Sequence, residues 1–339
     1  MAVSKPYSPA WWIPGGHLQT LWGKLFRRQR PAPTNLIAWE TADGDFLEIH
    51  RIDATRGAPR LLLLHGLEGT IRSHYAQGLL NEAARRGWAA DLLIFRSCGS
   101  ELNRTKRFYH SGETGDVSFA IDRIVSEFPG TPLALAGVSL GGNVLLRYLG
   151  ERGARLPREL AASVAISVPF DLARSSARIN SGFSQLYQRF FLNSLRRKAR
   201  EKAKVFPDLA PVDAIEGLRT LAEFDNLITG PLHGYRDADD YYSRASSLPI
   251  LKDIRLNTLL FSAIDDPMLP PEVLDEVRHI ARNNPALHLE FTARGGHAGF
   301  ISGSIPWRPF YYAEYRACDF LAEQFDARLA TIAKERRKA

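Results

Sequence analysis

A short apolar run, Leu133 to Ala136, meets a serine flanked by glycines, Gly137-Val138-Ser139-Leu140-Gly141, and a helical pattern follows at once to Arg152. Few backbones accept that sequence. A serine held on a sharp strand-to-helix turn occupies strained geometry, and side chains two residues either way would clash, so glycine is required at 137 and 141. The turn lifts the Ser139 hydroxyl above a sheet and aims it at the N-terminus of the next helix, the placement of a nucleophile.

The rest of the chain repeats the strand-then-helix alternation. Apolar runs at Arg60 to Leu64, Ala89 to Phe95, Ala161 to Val168, Thr258 to Ala263 and Leu287 to Thr292 read as buried strands. Helical patterns fit between them at Tyr75 to Arg86, Gly115 to Phe128 and Gly141 to Arg152, each closed by a glycine or a Pro-Gly stop. Asp43-Gly44 between alternating apolar stretches predicts a β-hairpin over Asn35 to Ile52. The fold class is therefore α/β, a mostly parallel central sheet flanked by helices. The alternation breaks from about Phe170 to Ser247, where aromatic and basic helical sequence predicts a cap inserted into the core. Expected boundaries are an N-terminal arm (1–34) packing on the core, a core formed by 35–169 and 248–325, a helical cap (170–247) and a basic C-terminal tail (326–339).

A hydroxyl is a poor nucleophile at neutral pH, so Ser139 needs a base, and the base needs an orienting acid. Two loops at strand ends supply them. Thr258 to Ala263 runs into Ile264-Asp265-Asp266-Pro267, and Leu287 to Thr292 runs into Arg294-Gly295-Gly296-His297-Ala298-Gly299. Open α/β sheets place their chemistry at the carboxyl ends of strands. His297 is the expected base. Asp265 and Asp266 are adjacent, and only one can face the imidazole. The oxyanion donors expected are the backbone N–H of Leu140, after the nucleophile, and of Leu67, in the loop His65-Gly66-Leu67-Glu68-Gly69. His65 is expected to shape that loop.

Composition narrows the remaining classes. Two cysteines, Cys98 and Cys318, without a CxxC pair, fit a reducing compartment, and no apolar run approaches the roughly 20 residues of a membrane span. Met1 to Pro14 lacks a signal-peptide core, so a cytoplasmic protein is expected. The remaining histidines show no metal-ligand spacing; no metal and no cofactor are expected. The net charge of +7 is spread along the chain except at Arg27–Arg30 and Arg189–Lys204, read as solvated faces, with a peripheral membrane contact through the basic cap as the alternative. No nucleic acid partner is expected, and the oligomeric state is open.

Many separated motifs, in order, resemble the YheT-like α/β-hydrolases, the AB-hydrolase 4 group. The likeness covers Pro14-Gly-Gly-His17-Leu18-Gln19-Thr20, Asp43-Gly44-Asp45-Phe46, His65 to Gly69 and Tyr109 to Thr114. It continues through Gly137 to Asn143, Phe224-Asp225, His233-Gly-Tyr235, Asp239 to Tyr242, Asp265 to Pro267 and Gly295 to Phe300. The resemblance implies the α/β-hydrolase fold, a Ser-Asp-His triad at Ser139, Asp266 and His297, and hydrolysis of carboxylic esters with lipid-like acyl chains. Asp266 is preferred because its continuation resembles the acid loop D-x-x-x-P of many α/β-hydrolases. One departure is visible: the family often reads F-R-G-C-S-G where this chain has Phe95-Arg96-Ser97-Cys98-Gly99-Ser100, which predicts a local loop difference.

Two motifs have a structural reading beside a functional one. Glu113 and Thr114 are expected to cap the helix at Gly115, with lining the pocket as the alternative, and the Pro14 to Thr20 motif with Trp11, Trp12 and Trp22 is expected to clamp the N-terminal arm onto the core, with an aromatic face toward lipid as the alternative. Cap side chains Phe183, Leu186, Tyr187, Phe190, Phe191 and Leu192 are expected to line an acyl tunnel. The alternatives to ester hydrolysis are acyl transfer by the same triad, and a lipid- or anion-binding surface protein with incidental catalysis.

Overall fold

The computed structural model describes residues 6–338, with side chains described through Thr331. Eight strands form one sheet in the order β1-β2-β4-β3-β5-β6-β7-β8. These are β1 (Asn35–Glu40), β2 (Phe46–Ile52), β3 (Arg60–Leu64), β4 (Ala89–Ile94), β5 (Leu133–Val138), β6 (Leu160–Ile166), β7 (Thr258–Ala263) and β8 (Leu287–Thr292). β2 runs antiparallel to β1 and β4, and every pairing from β4 to β8 is parallel. The strands read as continuous apolar runs are buried along their whole length at β3, β4, β5 and β7, because helices cover both faces.

The helices of eight or more residues are α1 (Gly15–Phe26), α2 (His74–Arg85), α3 (Gly115–Glu127), α4 (Leu140–Arg152), α5 (Leu172–Ile179), α6 (Gln185–Val205), α7 (Ala238–Ala245), α8 (Val273–Ala281) and α9 (Tyr312–Lys338). Between β6 and β7 there is no strand: α5, α6, α7 and several shorter helical turns occupy this stretch. They build a second apolar cluster around Leu192, Leu195, Ala199, Ile215 and Phe224, separate from the sheet's own core. The basic stretch read as a tail lies on α9, which continues through Lys338. A two-stranded ribbon, β9 (Ile301–Ser302) with β10 (Phe310–Tyr311), follows the His297 loop.

The arm ahead of β1 is tied to that ribbon. The Trp11 and Trp12 indoles donate to the carbonyls of Ser304 and Gly303, each at 3.0 Å, and Trp12 meets Trp22 edge-on at 4.8 Å. Trp12 and Trp22 are half-buried, whereas Trp11 is 75% exposed despite its hydrogen bond.

The basic run on α6 does not form a uniform solvated face. Lys198 reaches Glu68 at 2.7 Å, and Arg196 and Arg200 pair with Glu216 at 2.8 Å. Lys202 is buried, donating its ammonium to the carbonyls of Thr105, at 2.6 Å, and Arg107. The long aliphatic stems allow a basic helix to turn charges inward where acceptors wait. Among the described residues no helix is long and apolar enough to cross a membrane.

Candidate active site

Ser139 stands between β5 and α4 with φ 55° and ψ −123°, a backbone that L-residues rarely adopt. The flanking glycines are dictated by contact. A Cβ at Gly137 would lie 2.5 Å from the Gly141 carbonyl oxygen, and one at Gly141 would lie 2.4 Å from that of His65. Asn143, one turn into α4, is fully buried and donates to the carbonyls of Ser111 and Ala245 while accepting from the Ser247 N–H. Helix α4 and the base of the cap are thus fastened by one amide.

His297 sits on the loop after β8, and its Nδ1 lies 2.8 Å from Asp266 Oδ2. Asp266 is 1% exposed, and its other oxygen accepts from the Met268 N–H at 2.8 Å. An ionised carboxylate only accepts, so Nδ1 carries the proton and Nε2 is left with its lone pair. Asp265 does different work: its Oδ1 accepts from the Gly296 N–H at 2.8 Å and braces the histidine loop. Burial pushes the Asp265 carboxyl up, against the backbone hydrogen bonds it receives from Gly296 and Gly295.

Further contacts aim this loop from the N-terminal motif. The His297 N–H donates to Thr20 Oγ1 at 2.8 Å, and that hydroxyl donates to the Gly16 carbonyl at 2.7 Å. Gln19 is buried and clasps Ile301, accepting from its N–H at 2.7 Å and donating to its carbonyl at 3.2 Å. On the other side, Ser167 Oγ accepts from the Ala298 N–H at 3.0 Å. The approach is close enough that a Cβ at Gly296 would lie 2.3 Å from the Gly16 carbonyl, and one at Gly299 would lie 2.3 Å from that of Gln19. Sequence reasoning singled out Pro14 to Thr20 but gave it a clamp's role; it also positions the imidazole's loop.

His65 is fully buried at the other edge. Its Nε2 accepts from the Phe95 N–H at 3.0 Å, so Nδ1 must carry the hydrogen and donate to the Gly66 carbonyl at 2.7 Å. Burial pulls its pKa down to about 4, so it stays neutral and structural. In the loop it shapes, the N–H groups either side of Leu67 are engaged: Gly66 donates to the Tyr75 hydroxyl at 2.8 Å and Glu68 to the Tyr109 hydroxyl at 2.7 Å. Among the described residues the N–H groups of Leu67 and Leu140 have no hydrogen-bond partner, and both residues line the same cavity as Ser139 and His297. Ser139 Oγ and His297 are not hydrogen-bonded to each other among the described residues.

That cavity lies between sheet and cap. Its walls are mostly apolar, including Phe108, Ile179, Leu195, Leu221 and Met268. Of the cap residues expected there, only Phe191 lines it. Phe183, Leu186 and Phe190 are about half exposed, Leu192 is buried in the cap's own cluster, and Tyr187 is buried against Met268 and the N-terminal arm, its hydroxyl 3.0 Å from His17 Nδ1. Position decides: Phe183 precedes α6, and of that helix only Phe191 and Leu195 line the cavity, while Leu186, Tyr187, Phe190 and Leu192 point to other faces. Glu113 caps α3, accepting from the Gly115 N–H at 2.8 Å, whereas Thr114 makes no cap hydrogen bond; His110 and Ser111 of the same motif line the cavity.

The loop that departs from the family pattern keeps the left-handed backbone a glycine would take freely: Ser97 has φ 65° and its hydroxyl hydrogen-bonds Asn103. Arg96 beside it is buried among Asp43, Asp45 and Asp116. Among the described residues no cluster of His, Cys, Asp and Glu could hold a metal ion, and Cys98 and Cys318 are free and buried.

Fold and site together place the chain: residues 59–304 match the α/β hydrolase fold family, and the chain belongs to it. It is 39% identical to YheT of Escherichia coli (strain K12), a candidate esterase, over 92% of each chain. It is 29% identical to the mouse (Mus musculus) phospholipase ABHD3, over 90% of this chain and 75% of that protein. Among solved structures it resembles the Pyrococcus furiosus esterase Pf2001, with a TM-score of 0.52 at 17% identity over 88% of this chain and 91% of that one, a likeness of fold.

Proposed function

We propose that the protein is a serine hydrolase of carboxylic esters, in which Ser139 is the nucleophile, His297 the general base and Asp266 the orienting acid. The observation that carries this reading is the Asp266–His297 hydrogen bond at 2.8 Å behind a cavity lined by both His297 and a strained serine. The relatives named as a candidate esterase and as a phospholipase support the substrate class.

Ser139 Oγ attacks the ester carbonyl carbon while His297 Nε2 takes its proton, and the Nδ1–H bond to Asp266 holds the tautomer and steadies the imidazolium. The negative charge on the carbonyl oxygen is received by the N–H groups of Leu67 and Leu140, the second of which sits at the N-terminus of α4, where the helix dipole adds to it. The imidazolium returns the proton to the leaving alcohol, and water, activated by the same base, releases the acid. The apolar lining favours an uncharged, lipid-like acyl chain.

A panel of p-nitrophenyl esters from short to long acyl chains, run beside Ser139→Ala, tests this. Turnover in the parent that is lost in the variant is expected, with the optimum chain length reporting the cavity. Equal turnover in the two proteins would remove Ser139 from the mechanism.

A further inference from the structure

The cavity has one charged feature that ester hydrolysis does not use. Asp225 is the one carboxylate among its described lining residues, and no Lys or Arg lines it. It stands on the cap side, directly after Phe224, in a motif the sequence singles out without a role. It is half-buried, and it lines the cavity.

Its protein partners are neutral. The Tyr242 hydroxyl donates to Oδ2 at 2.7 Å, and the Ser176 hydroxyl lies 3.2 Å from that of Tyr242. Tyr241 is turned away from it, its hydroxyl accepting from the Ser111 N–H at 2.8 Å. Burial pushes the Asp225 carboxyl up to about 6, against the hydrogen bonds from Thr229 and Tyr242 that favour its ionised form. A carboxylate taken out of water and met only by hydroxyl groups lacks the cation or charge-assisted donor that such burial normally requires. A group entering the cavity can supply it.

We infer that Asp225, with Tyr242 and Ser176 behind it, is a subsite for a hydrogen-bond-donating group, ammonium or hydroxyl, carried by the ester whose scissile bond lies at Ser139. The inference rests on the ester-hydrolase reading for the identity of the ligand, not for the existence of the subsite. It makes the cavity amphipathic: apolar walls take the hydrocarbon, and the cap end sorts substrates by what the hydrocarbon bears. An anionic group there would face a like charge without a compensating cation.

Binding measured without turnover separates this from the catalytic reading. Octylammonium, octanol and octanoate share a chain and differ in the terminal group, so calorimetric titration of each into the full-length protein at pH 8 isolates the subsite. Octylammonium is expected to bind tightest and octanoate weakest, each step on the order of tenfold, the worth of a charge-assisted hydrogen bond. The net charge of +7 would by itself favour octanoate, so the predicted order cannot come from overall electrostatics. Asp225→Asn should level ammonium against alcohol, while Tyr242→Phe, which removes a donor and keeps the carboxylate, should preserve the preference. Octanoate binding as well as octylammonium would overturn the inference. So would a preference that survives Asp225→Asn, or one that Tyr242→Phe abolishes equally, since the pair would then be a packing device. Loss of esterase activity in Ser139→Ala leaves these binding results unaffected, so the two claims fail separately.

Discussion

At Asp265 and Asp266 two neighbouring carboxylates have divided their work, and the division is geometric. Asp266 turns inward to the imidazole, and Asp265 turns back to the backbone of the glycines before it. If the inward one alone fixes the tautomer, Asp266→Asn should lower kcat by about ten-thousand-fold, because an amide can hold the ring with the wrong nitrogen protonated. Asp265→Asn should lower it far less. Steady-state kinetics of the pair decide the assignment, and equal losses would contradict it. Thr20 offers a subtler test. Replacing it by valine removes the acceptor of the His297 N–H, and kcat should fall roughly tenfold, one hydrogen bond's worth, with KM nearly constant. The serine and histidine were legible in the sequence because their loops need glycine at spacings few other structures require. Thr20 and Ser167 were not, since a hydroxyl that accepts one N–H from a residue far along the chain leaves no local pattern.

Between elements, the cap is locked to the loop after β3 by a polar cluster largely closed off from solvent. Lys198 of α6 donates to Glu68 at 2.7 Å and to Cys98 Sγ at 3.3 Å, and the Tyr109 hydroxyl donates to the same carboxylate at 2.9 Å. Glu68 also holds a left-handed backbone, φ 55°, next to Leu67. Glu68→Gln should therefore destabilise the protein by roughly 2 kcal/mol, because it leaves a largely buried ammonium without its carboxylate. Adding Lys198→Met should recover most of that loss, and additive losses in chemical denaturation would contradict the coupling. Lys202 gives a second test on the same helix. Burial drops its pKa from 10.5 to about 7, so between those values the unfolded chain holds a proton that the folded one has released. Stability should rise with pH across that window and lose this rise in Lys202→Met, as melting temperature against pH will report. The strands and the cap's helical character were legible from period alone. Which basic residues of α6 point inward was not, because charge runs carry no sign of the carbonyls and carboxylates that other loops bring to them.

For the whole molecule, histidines held neutral by their surroundings set the acid limit. Burial holds His65 near 4 and His74, His110 and His233 near 3, all below the ordinary 6.5. Each contributes stability that is complete above 6.5 and is lost as pH falls toward the folded value. Asp225 and Glu314, raised by burial to about 6 and about 7, and Asp116 and Asp265, raised as well, act in the opposite sense, but His74, His110 and His233 are moved furthest of these groups. Melting temperature should therefore fall as pH drops from 6.5 toward 4, and a flat profile would show that these rings are not closed off from water. The proposed mechanism turns on the strained serine at the head of α4 as the group that attacks. Incubation with a fluorophosphonate, followed by peptide mass spectrometry, tests it most directly. A single adduct on Ser139, absent from Ser139→Ala and slowed in His297→Ala, is the predicted result; labelling at another residue, or none in a folded parent protein, would contradict it.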